Sequence, residues 1–207
     1  NEYEEHSEYE VNRIIEKADK VFNAWKKTSF RERAELMNKA AKVLKDRRHD
    51  LAQLMAKEMG KPLSQGVSEA EKCAWVCEYY AENAEDHLKD QHFETENSKS
   101  YVSFRPLGTV LAIMPWNFPF WQVFRFAAPS LMAGNTALLK HSSNTTGCGL
   151  EIENIFRQAG FPEYVFNTLK LGREKIREMA PKIIGHPLVK AVTLTGSTGA
   201  GKKTAQN

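Results

Sequence analysis

The sequence predicts an α/β protein whose amino-terminal helices lead into a parallel, Rossmann-like sheet. In the first third of the chain, apolar residues recur at three- and four-residue steps, which is the pattern of amphipathic helices. After Gly108, four β-rich runs at 110–114, 136–139, 164–166 and 191–194 begin about 27 residues apart. Each gap holds one helix, as in consecutive βαβ units, and indicates a sheet that is covered on both faces.

Composition and charge indicate which partners and which cellular location to expect. The 207 residues suffice for one or two domains, and a net charge of +3 from 29 basic and 26 acidic side chains predicts no nucleic-acid partner. No apolar stretch approaches the roughly 20 residues that cross a bilayer, and three cysteines without dense spacing favour a reducing compartment. We therefore expect no membrane partner and a cytoplasmic location. The lack of an initiating Met and the end at Asn207 indicate a piece of a longer protein.

Three helices are predicted over residues 1–91. The first two begin at capping boxes, formed by Ser7 with Glu10 and by Ser29 with Glu32. The second is expected to run unbroken past Met55 until Gly60 ends it. The third, over residues 67–84, carries a stripe of small residues that permits close packing.

A second region, residues 92–105, separates these helices from the sheet. Polar and apolar side chains alternate there beside a polar, turn-like stretch. This pattern predicts a strand, or half of a hairpin, that projects to meet another subunit. Residues 106–207 then contain the βαβ units.

The most unusual sequence follows the first predicted strand. In open parallel sheets the ligand site lies beyond the carboxyl ends of the strands, and here Pro115 and Pro119 bracket Trp116, Asn117 and Phe118. Because prolines restrict the backbone around them, the Asn117 amide is held in one direction, from which it can donate to oxygen charge developing on a carbonyl substrate. A turn-stabilising amide is the alternative for the same residue.

Two further strand ends carry candidate ligand-binding residues. Lys140, after the second run, is placed to reach ribose hydroxyls or a phosphate, and the alternative is an exposed strand-end charge. After the fourth run, the glycine-rich segment from Gly196 is either an anion-binding loop or a plain helix cap. A kinase-like phosphate site built on Gly201, Lys202 and Lys203 is a weaker alternative, because the glycine spacing is not that of a Walker loop.

Taken together, ordered segments of the chain resemble the aldehyde dehydrogenase superfamily. They lie at residues 106–110, 115–119, 131–135, 160–162, 165–167, 185–187 and 195–198. The likeness runs from the first helix to the last residue, and residues 105–108, 112–115 and 139–141 most resemble bacterial succinate-semialdehyde dehydrogenases. It implies the cofactor-binding domain of such an enzyme, incomplete at its carboxyl end.

The resemblance implies roles for residues at matching positions. Asn117 would help to form the oxyanion hole, Trp116 would line the nicotinamide end, and Lys140 would meet the adenine ribose. Gly196 and Ser197 would meet the pyrophosphate. The cofactor-binding set is completed by His141, Ser142 and Ser143, and no metal site is implied.

Two positions depart from the family pattern. His141 stands where many members have a proline, and Ser143 stands where NAD-preferring members place a glutamate that binds the ribose 2′-hydroxyl. Without that carboxylate, a 2′-phosphate meets no like charge. The implied cofactor is therefore NADP or NAD, with NADP favoured.

The resemblance also implies a reaction that this chain does not complete. The family oxidises an aldehyde through a cysteine thiolate, which forms a thioester, and a glutamate that assists its hydrolysis; both lie in motifs beyond Asn207. Cys73 and Cys77 are interpreted as packing residues. Cys148 opens a helix whose dipole would lower the thiol pKa, but it matches no family nucleophile.

The implied parent enzyme is a dimer or tetramer that acts on a small aldehyde such as succinate semialdehyde. The chain by itself is expected to be inactive. The alternative function is a non-catalytic nucleotide-binding or interaction module that kept the loops at the strand ends.

Overall fold

A four-stranded parallel sheet lies between two layers of helices in the computed structural model, which describes residues 3–206. The helices are α1 Glu8–Trp25, α2 Phe30–Asp46, α3 Arg48–Met59, α4 Leu63–His87, α5 Trp121–Met132, α6 Thr146–Gln158, α7 Arg173–Ile184 and α8 Thr198–Ala205. The strands are β1 Gln91–Phe93, β2 Ser100–Val102, β3 Thr109–Met114, β4 Thr136–His141, β5 Phe166–Thr168 and β6 Val189–Leu194. The predicted α/β class is confirmed. Over the described range, no helix combines the length and apolar character needed to span a membrane.

The two central strands, β3 and β4, are buried on both faces because their side chains alternate between two hydrophobic clusters. Ala112 and Leu139 belong to a cluster with α2 to α6. Leu111 and Leu138 belong to a second cluster with α1 and α7. Each fully buried aliphatic side chain of this kind contributes about 1.5–3 kcal/mol to folding. Two-sided coverage of the sheet, predicted from the apolar runs, is thereby confirmed.

Both predicted capping boxes are present. The Ser7 hydroxyl accepts a hydrogen bond from the Glu10 N–H at 3.2 Å, while the Glu10 carboxylate accepts from the Ser7 N–H at 2.7 Å. Ser29 and Glu32 repeat the arrangement at the start of α2. Such a cap is worth about 1 kcal/mol relative to alanine, and it satisfies backbone donors that have no partner within the helix.

The prediction of one unbroken second helix is wrong, because the chain turns at Arg47 between α2 and α3. Arg47 has φ −102° and ψ 11°, outside the helical region, and its guanidinium pairs with Glu151 on α6. Leu44 and Leu51 lie seven residues apart, which is two helical turns, so the apolar pattern continues across the break without revealing it. Gly60 ends α3 in the left-handed conformation, φ 75°, as predicted.

Residues 92–105 contain part of a short hairpin, in which β1 and β2 pair antiparallel. The strand expected to reach Arg105 therefore stops at Val102. The third predicted run also begins late, since β5 starts at Phe166. Tyr164 occupies the left-handed region at φ 67° and belongs to the turn before the strand.

Helices α3 and α4 approach most closely at Gly66. A Cβ at this position would lie 2.8 Å from both Cα and Cβ of Ala52. Because the obstructing atom is backbone, we expect Gly66→Ala to lower the free energy of unfolding by about 1–3 kcal/mol, measured by urea denaturation. Gly201→Ala is the control, since a Cβ there meets nothing within 4 Å and improves helix propensity. Wild-type stability in Gly66→Ala would contradict the tight packing.

Candidate functional site

The strand order β5-β4-β3-β6 predicts a ligand crevice beyond the carboxyl ends of β3 and β6. Consecutive strands β3, β4 and β5 run outward in one direction, whereas β6 lies on the other side of β3. This is a topological switch point, where the loops that leave neighbouring strands diverge and leave room for a ligand. The residues that follow β3, β4 and β6 are therefore the ones that a ligand at this edge would meet.

The loop after β3 holds Asn117 on the surface. Trp116, Asn117 and Phe118 are exposed, whereas Pro119 and Phe120 are buried. The Asn117 side-chain oxygen accepts the Phe118 N–H at 3.1 Å. This contact stabilises the turn, which is the alternative role considered for the amide. Among the described residues, no protein acceptor takes the two N–H donors of the same amide, so they are available to a ligand.

A buried ion pair between Lys61 and Glu69 stabilises the end of this loop. The Glu69 carboxylate on α4 accepts the backbone N–H groups of Phe120 and Trp121, both at 2.9 Å, and so caps α5. Its second oxygen pairs with Lys61, and both side chains are almost fully buried. The Lys61 amine also lies 4.0 Å from the centre of the Phe118 ring. This pair was not predicted from the sequence, in which its only signal is a carboxylate beside the small-residue stripe of α4.

The end of β4 places Lys140 and His141 in the interior. Lys140 is 6% exposed, and its amine donates to the His141 carbonyl. The exposed strand-end charge considered as an alternative is therefore wrong. Burial lowers the pKa of Lys140 to about 8, against an opposing effect of the Glu5 carboxylate. His141 is 3% exposed, and its ring is hydrogen-bonded to Pro119 and to residues of its own loop.

Ser142 and Ser143 lie next along the chain, nearer to solvent. The Ser142 hydroxyl donates to the Asn144 side-chain oxygen at 2.5 Å, and Ser143 is exposed at the start of the 3-10 turn Ser143–Thr145. The Ser143 side chain is thus accessible to solvent. A larger or charged side chain at this position would project outward without displacing the core.

The loop after β6 places Gly196 and Ser197 on the surface. Ser197 is the N-cap of α8, and its hydroxyl accepts the Ala200 N–H at 3.2 Å. Ser197 is thus a helix cap, and anion binding by this loop stays a prediction. Gly201 and Lys202 lie inside α8 rather than in a loop, so the kinase-like phosphate site is wrong.

Backbone hydrogen bonds bring the three strand ends together. The Ser142 N–H donates to the Met114 carbonyl and the Thr195 N–H to the Ile113 carbonyl, each at 3.0 Å. The loop that carries Asn117 therefore lies between the Lys140 to Ser143 segment on one side and the Gly196 loop on the other. All of the site residues predicted from the sequence lie on these three loops or at their strand ends.

The three cysteines are all buried, and none is a reactive thiolate. Burial raises the pKa of the Cys73 and Cys77 thiols. The expected lowering of the Cys148 pKa by a helix dipole is wrong, because burial and then the Glu58 carboxylate raise it. Glu58 accepts the N–H groups of Gly147 and Cys148 at 2.9 and 2.8 Å, so a protein carboxylate already occupies the start of α6.

An apolar cavity of about 520 Å³ adjoins the end of β3. Residues of α4, α5, β3 and β6 line it, among them Met114, Gln122, Arg125 and Thr195. The Arg125 guanidinium donates to the Thr195 hydroxyl at 3.3 Å. The Gln122 side-chain oxygen is buried and has no hydrogen-bond partner among the described residues. The cavity thus combines apolar walls with a cation and an unsatisfied acceptor.

In comparison with known families, the profile described as the Aldehyde dehydrogenase family matches residues 1–207. The chain belongs to the aldehyde dehydrogenase family. It is 47% identical over 200 residues to a probable NADP(+) succinate-semialdehyde dehydrogenase of Synechocystis sp., a match that covers 97% of this chain and 43% of that relative. It is 40% identical over 192 residues to an NAD(P)+ succinate semialdehyde dehydrogenase of Escherichia coli, covering 93% and 41%.

Solved structures agree with the family assignment. The crystal structure of a succinic semialdehyde dehydrogenase from Streptococcus pyogenes in complex with NADP+ superimposes with a TM-score of 0.94 at 28% identity. That match covers 100% of this chain and 45% of the other. This aldehyde dehydrogenase chain spans less than half the length of the relatives that it matches.

The buried pair beneath the Asn117 loop of this aldehyde dehydrogenase chain gives a stability test. Lys61→Met and Glu69→Gln each leave one buried charge unpaired, so we expect each to lower the free energy of unfolding by about 3–5 kcal/mol. The double variant removes both charges and keeps an amide oxygen for the Phe120 and Trp121 N–H groups, so it should recover most of the loss.

Chemical denaturation of the four proteins measures this cycle. Lys42→Met is the control, because Lys42 and Asp46 form an exposed pair and the change should be small. Additive losses in the double variant would mean that the two side chains act independently.

Proposed function

We propose that this chain is the amino-terminal, cofactor-binding part of an NAD(P)-dependent aldehyde dehydrogenase whose first candidate substrate is succinate semialdehyde. The observation that supports the proposal is the junction of the β3, β4 and β6 ends, because the Asn117 loop, Lys140 and the Gly196 loop follow or end these adjacent strands. Family membership and two relatives named for succinate semialdehyde support the choice of reaction and substrate.

The residues at the crevice suit a dinucleotide. Lys140 has three N–H donors, of which one is used by the His141 carbonyl, so it retains donors for ribose hydroxyls or a phosphate. Gly196 and Ser197 precede the first turn of α8, where backbone N–H groups and the helix dipole favour a pyrophosphate. Trp116, Ser142 and Ser143 complete the proposed cofactor surface, and the buried His141 lies behind them. When bound, NADP or NAD accepts a hydride from the substrate.

Asn117 is the proposed catalytic residue of this chain. Its side-chain oxygen is engaged by the Phe118 N–H, which orients the amide so that its N–H donors are the free end. A donor held in place before the reaction stabilises oxyanion charge without reorganisation, and removal of one such donor typically costs about 100- to 1,000-fold in kcat. The buried Glu69 and Lys61 keep the supporting loop rigid.

The apolar cavity beside β3 is the proposed passage for the aldehyde. Its walls suit a short carbon chain, and Arg125 supplies a positive charge that matches the carboxylate of succinate semialdehyde. The buried acceptor of Gln122 would favour a donor on whatever fills the cavity. The Arg125 charge favours an anionic aldehyde over a neutral one of the same length, whereas the Gln122 oxygen, itself an acceptor, does not contribute to that preference.

The nucleophilic cysteine and the general-base glutamate are proposed to lie outside this chain. In support, all three cysteines here are buried in a way that disfavours the thiolate. The cytoplasmic location, the dimer or tetramer and the subunit contact through the β1–β2 hairpin remain predictions.

Arg125→Met tests the proposed substrate. In the full-length protein, we expect aldehyde-dependent formation of NADPH with succinate semialdehyde, and a roughly tenfold or greater rise in KM when the charge is removed. The KM for butyraldehyde, a neutral aldehyde of equal chain length, should hardly change. The 207-residue chain by itself should show no turnover. A full-length protein that oxidises neither aldehyde with either cofactor would refute the function.

Ser143→Glu tests the cofactor preference. The new carboxylate would face the 2′-phosphate of NADP, so we expect the affinity for NADP to fall at least tenfold relative to NAD, measured by titration calorimetry. Ser143→Gln is the matched control, because it has the same size without the charge. An equal loss of NADP affinity in both variants would mean that the size of the new side chain, and not its charge, causes the loss.

A further inference from the structure

The imidazole of His141 joins two of the loops that form the crevice. Its Nε2 lies 2.8 Å from the Pro119 carbonyl oxygen, and its Nδ1 lies 2.8 Å from the Ser142 N–H and 2.9 Å from the Thr145 hydroxyl. Pro119 belongs to the loop after β3, whereas Ser142 and Thr145 belong to the loop after β4. One side chain therefore spans the gap between the Asn117 loop and the proposed ribose-binding segment.

The chemistry of these partners determines the tautomer. A carbonyl only accepts, so Nε2 carries the hydrogen that bonds Pro119. A backbone N–H only donates, so Nδ1 is bare and accepts from Ser142, and the Thr145 hydroxyl must donate to it as well. Burial lowers the pKa of His141 to about 4, in keeping with a neutral ring. Both ring nitrogens are thus occupied by protein atoms and are not offered to a cofactor.

The His141 side chain also packs closely against α6 at Gly149. A Cβ on Gly149 of α6 would lie 3.2 Å from the His141 Cβ and 3.5 Å from its Cδ2. The glycine therefore allows the imidazole to pack against the helix backbone. The ring is held between that backbone and its three hydrogen-bond partners, so a shift of the β4 loop must move the Pro119 carbonyl with it.

Movement of the Pro119 carbonyl has a direct consequence for the oxyanion amide. Pro119 is two residues from Asn117, and its ring fixes its own φ, so few torsions separate the two groups. The Ser142 N–H, shared between His141 Nδ1 and the Met114 carbonyl, ties the start of the same loop. The loop is therefore connected to the β4 end at both of its ends.

We propose that His141 is a positioning residue that couples cofactor binding at residues 140–143 to the orientation of the Asn117 amide. The inference rests on the proposed function and gives His141 an indirect role in place of direct contact with the cofactor. The coupling contact is the hydrogen bond from His141 Nε2 to the Pro119 carbonyl oxygen. The two conservative replacements of histidine separate this contact from the others.

His141→Gln retains an N–H donor at the distance of Nε2, whereas His141→Asn retains an acceptor at the distance of Nδ1 and cannot reach Pro119. In the full-length protein we expect His141→Asn to lower kcat about tenfold with the KM for NADP within twofold of wild type. His141→Gln should restore kcat to within about threefold of wild type. Thr145→Val, which removes one bond to Nδ1 and leaves Pro119 in contact, should resemble wild type in kcat.

Hydrogen exchange gives a readout that does not depend on turnover. On addition of NADP, we expect slower exchange in wild-type peptides from both residues 115–122 and residues 140–146. In His141→Asn, the second peptide should respond as in wild type, whereas the response of the first should be reduced. NADP titration of each variant, and its urea midpoint, verify that the compared proteins are folded and bind the nucleotide.

The outcomes separate the coupling from the function on which it rests. Wild-type kcat in His141→Asn, or protection of residues 115–122 by NADP to the wild-type extent in that variant, would overturn the coupling alone. Equal loss of kcat in the Asn and Gln variants would also overturn it, since the ring would then act only by filling space. A wild-type protein that neither binds NADP nor oxidises an aldehyde would overturn the proposed function, and the coupling with it.

Discussion

The parallel register of β3 with both of its neighbours is the constraint from which the site follows. Met114 pairs with His141 on one side and Ile113 pairs with Leu194 on the other, so the three strands end at nearly the same level. The register is maintained because β3 and β4 have apolar side chains on both faces, and a one-residue slip would exchange the two hydrophobic clusters. Because the strands end at the same level, the three loops that follow them lie at the same end of the sheet.

Buried polar side chains hold the loops at this end of the sheet in place. Glu69 and Glu58 each satisfy two backbone N–H groups at the start of a helix, and His141 satisfies a carbonyl and a backbone N–H in adjacent loops. In a low-dielectric interior such contacts are strong, and the cost of leaving any of them unmade is high. These contacts therefore restrict the arrangements that the loops can adopt.

The elements predicted most accurately are those whose signals are local. Capping boxes at Ser7 and Ser29 depend on residues three positions apart, and the spacing of the β-rich runs requires only one helix in each gap. The break at Arg47 was not predictable in this way, since it depends on Glu151, which is distant in sequence. The start of β5 was misplaced because a β-branched and aromatic composition at 164–166 does not reveal the left-handed turn at Tyr164.

The sequence by itself determined the α/β class and the number of βαβ units, and it predicted the loops on which the proposed site lies, because periodicity and turn chemistry are properties of neighbouring residues. Only the tertiary structure decided the chemical state of the groups in those loops. Lys140 is buried instead of exposed, Cys148 has a raised instead of a lowered pKa, and His141 faces Pro119 instead of the crevice. Desolvation and hydrogen bonding depend on which distant segments pack against a side chain, and the local sequence around that side chain does not show which segments these are.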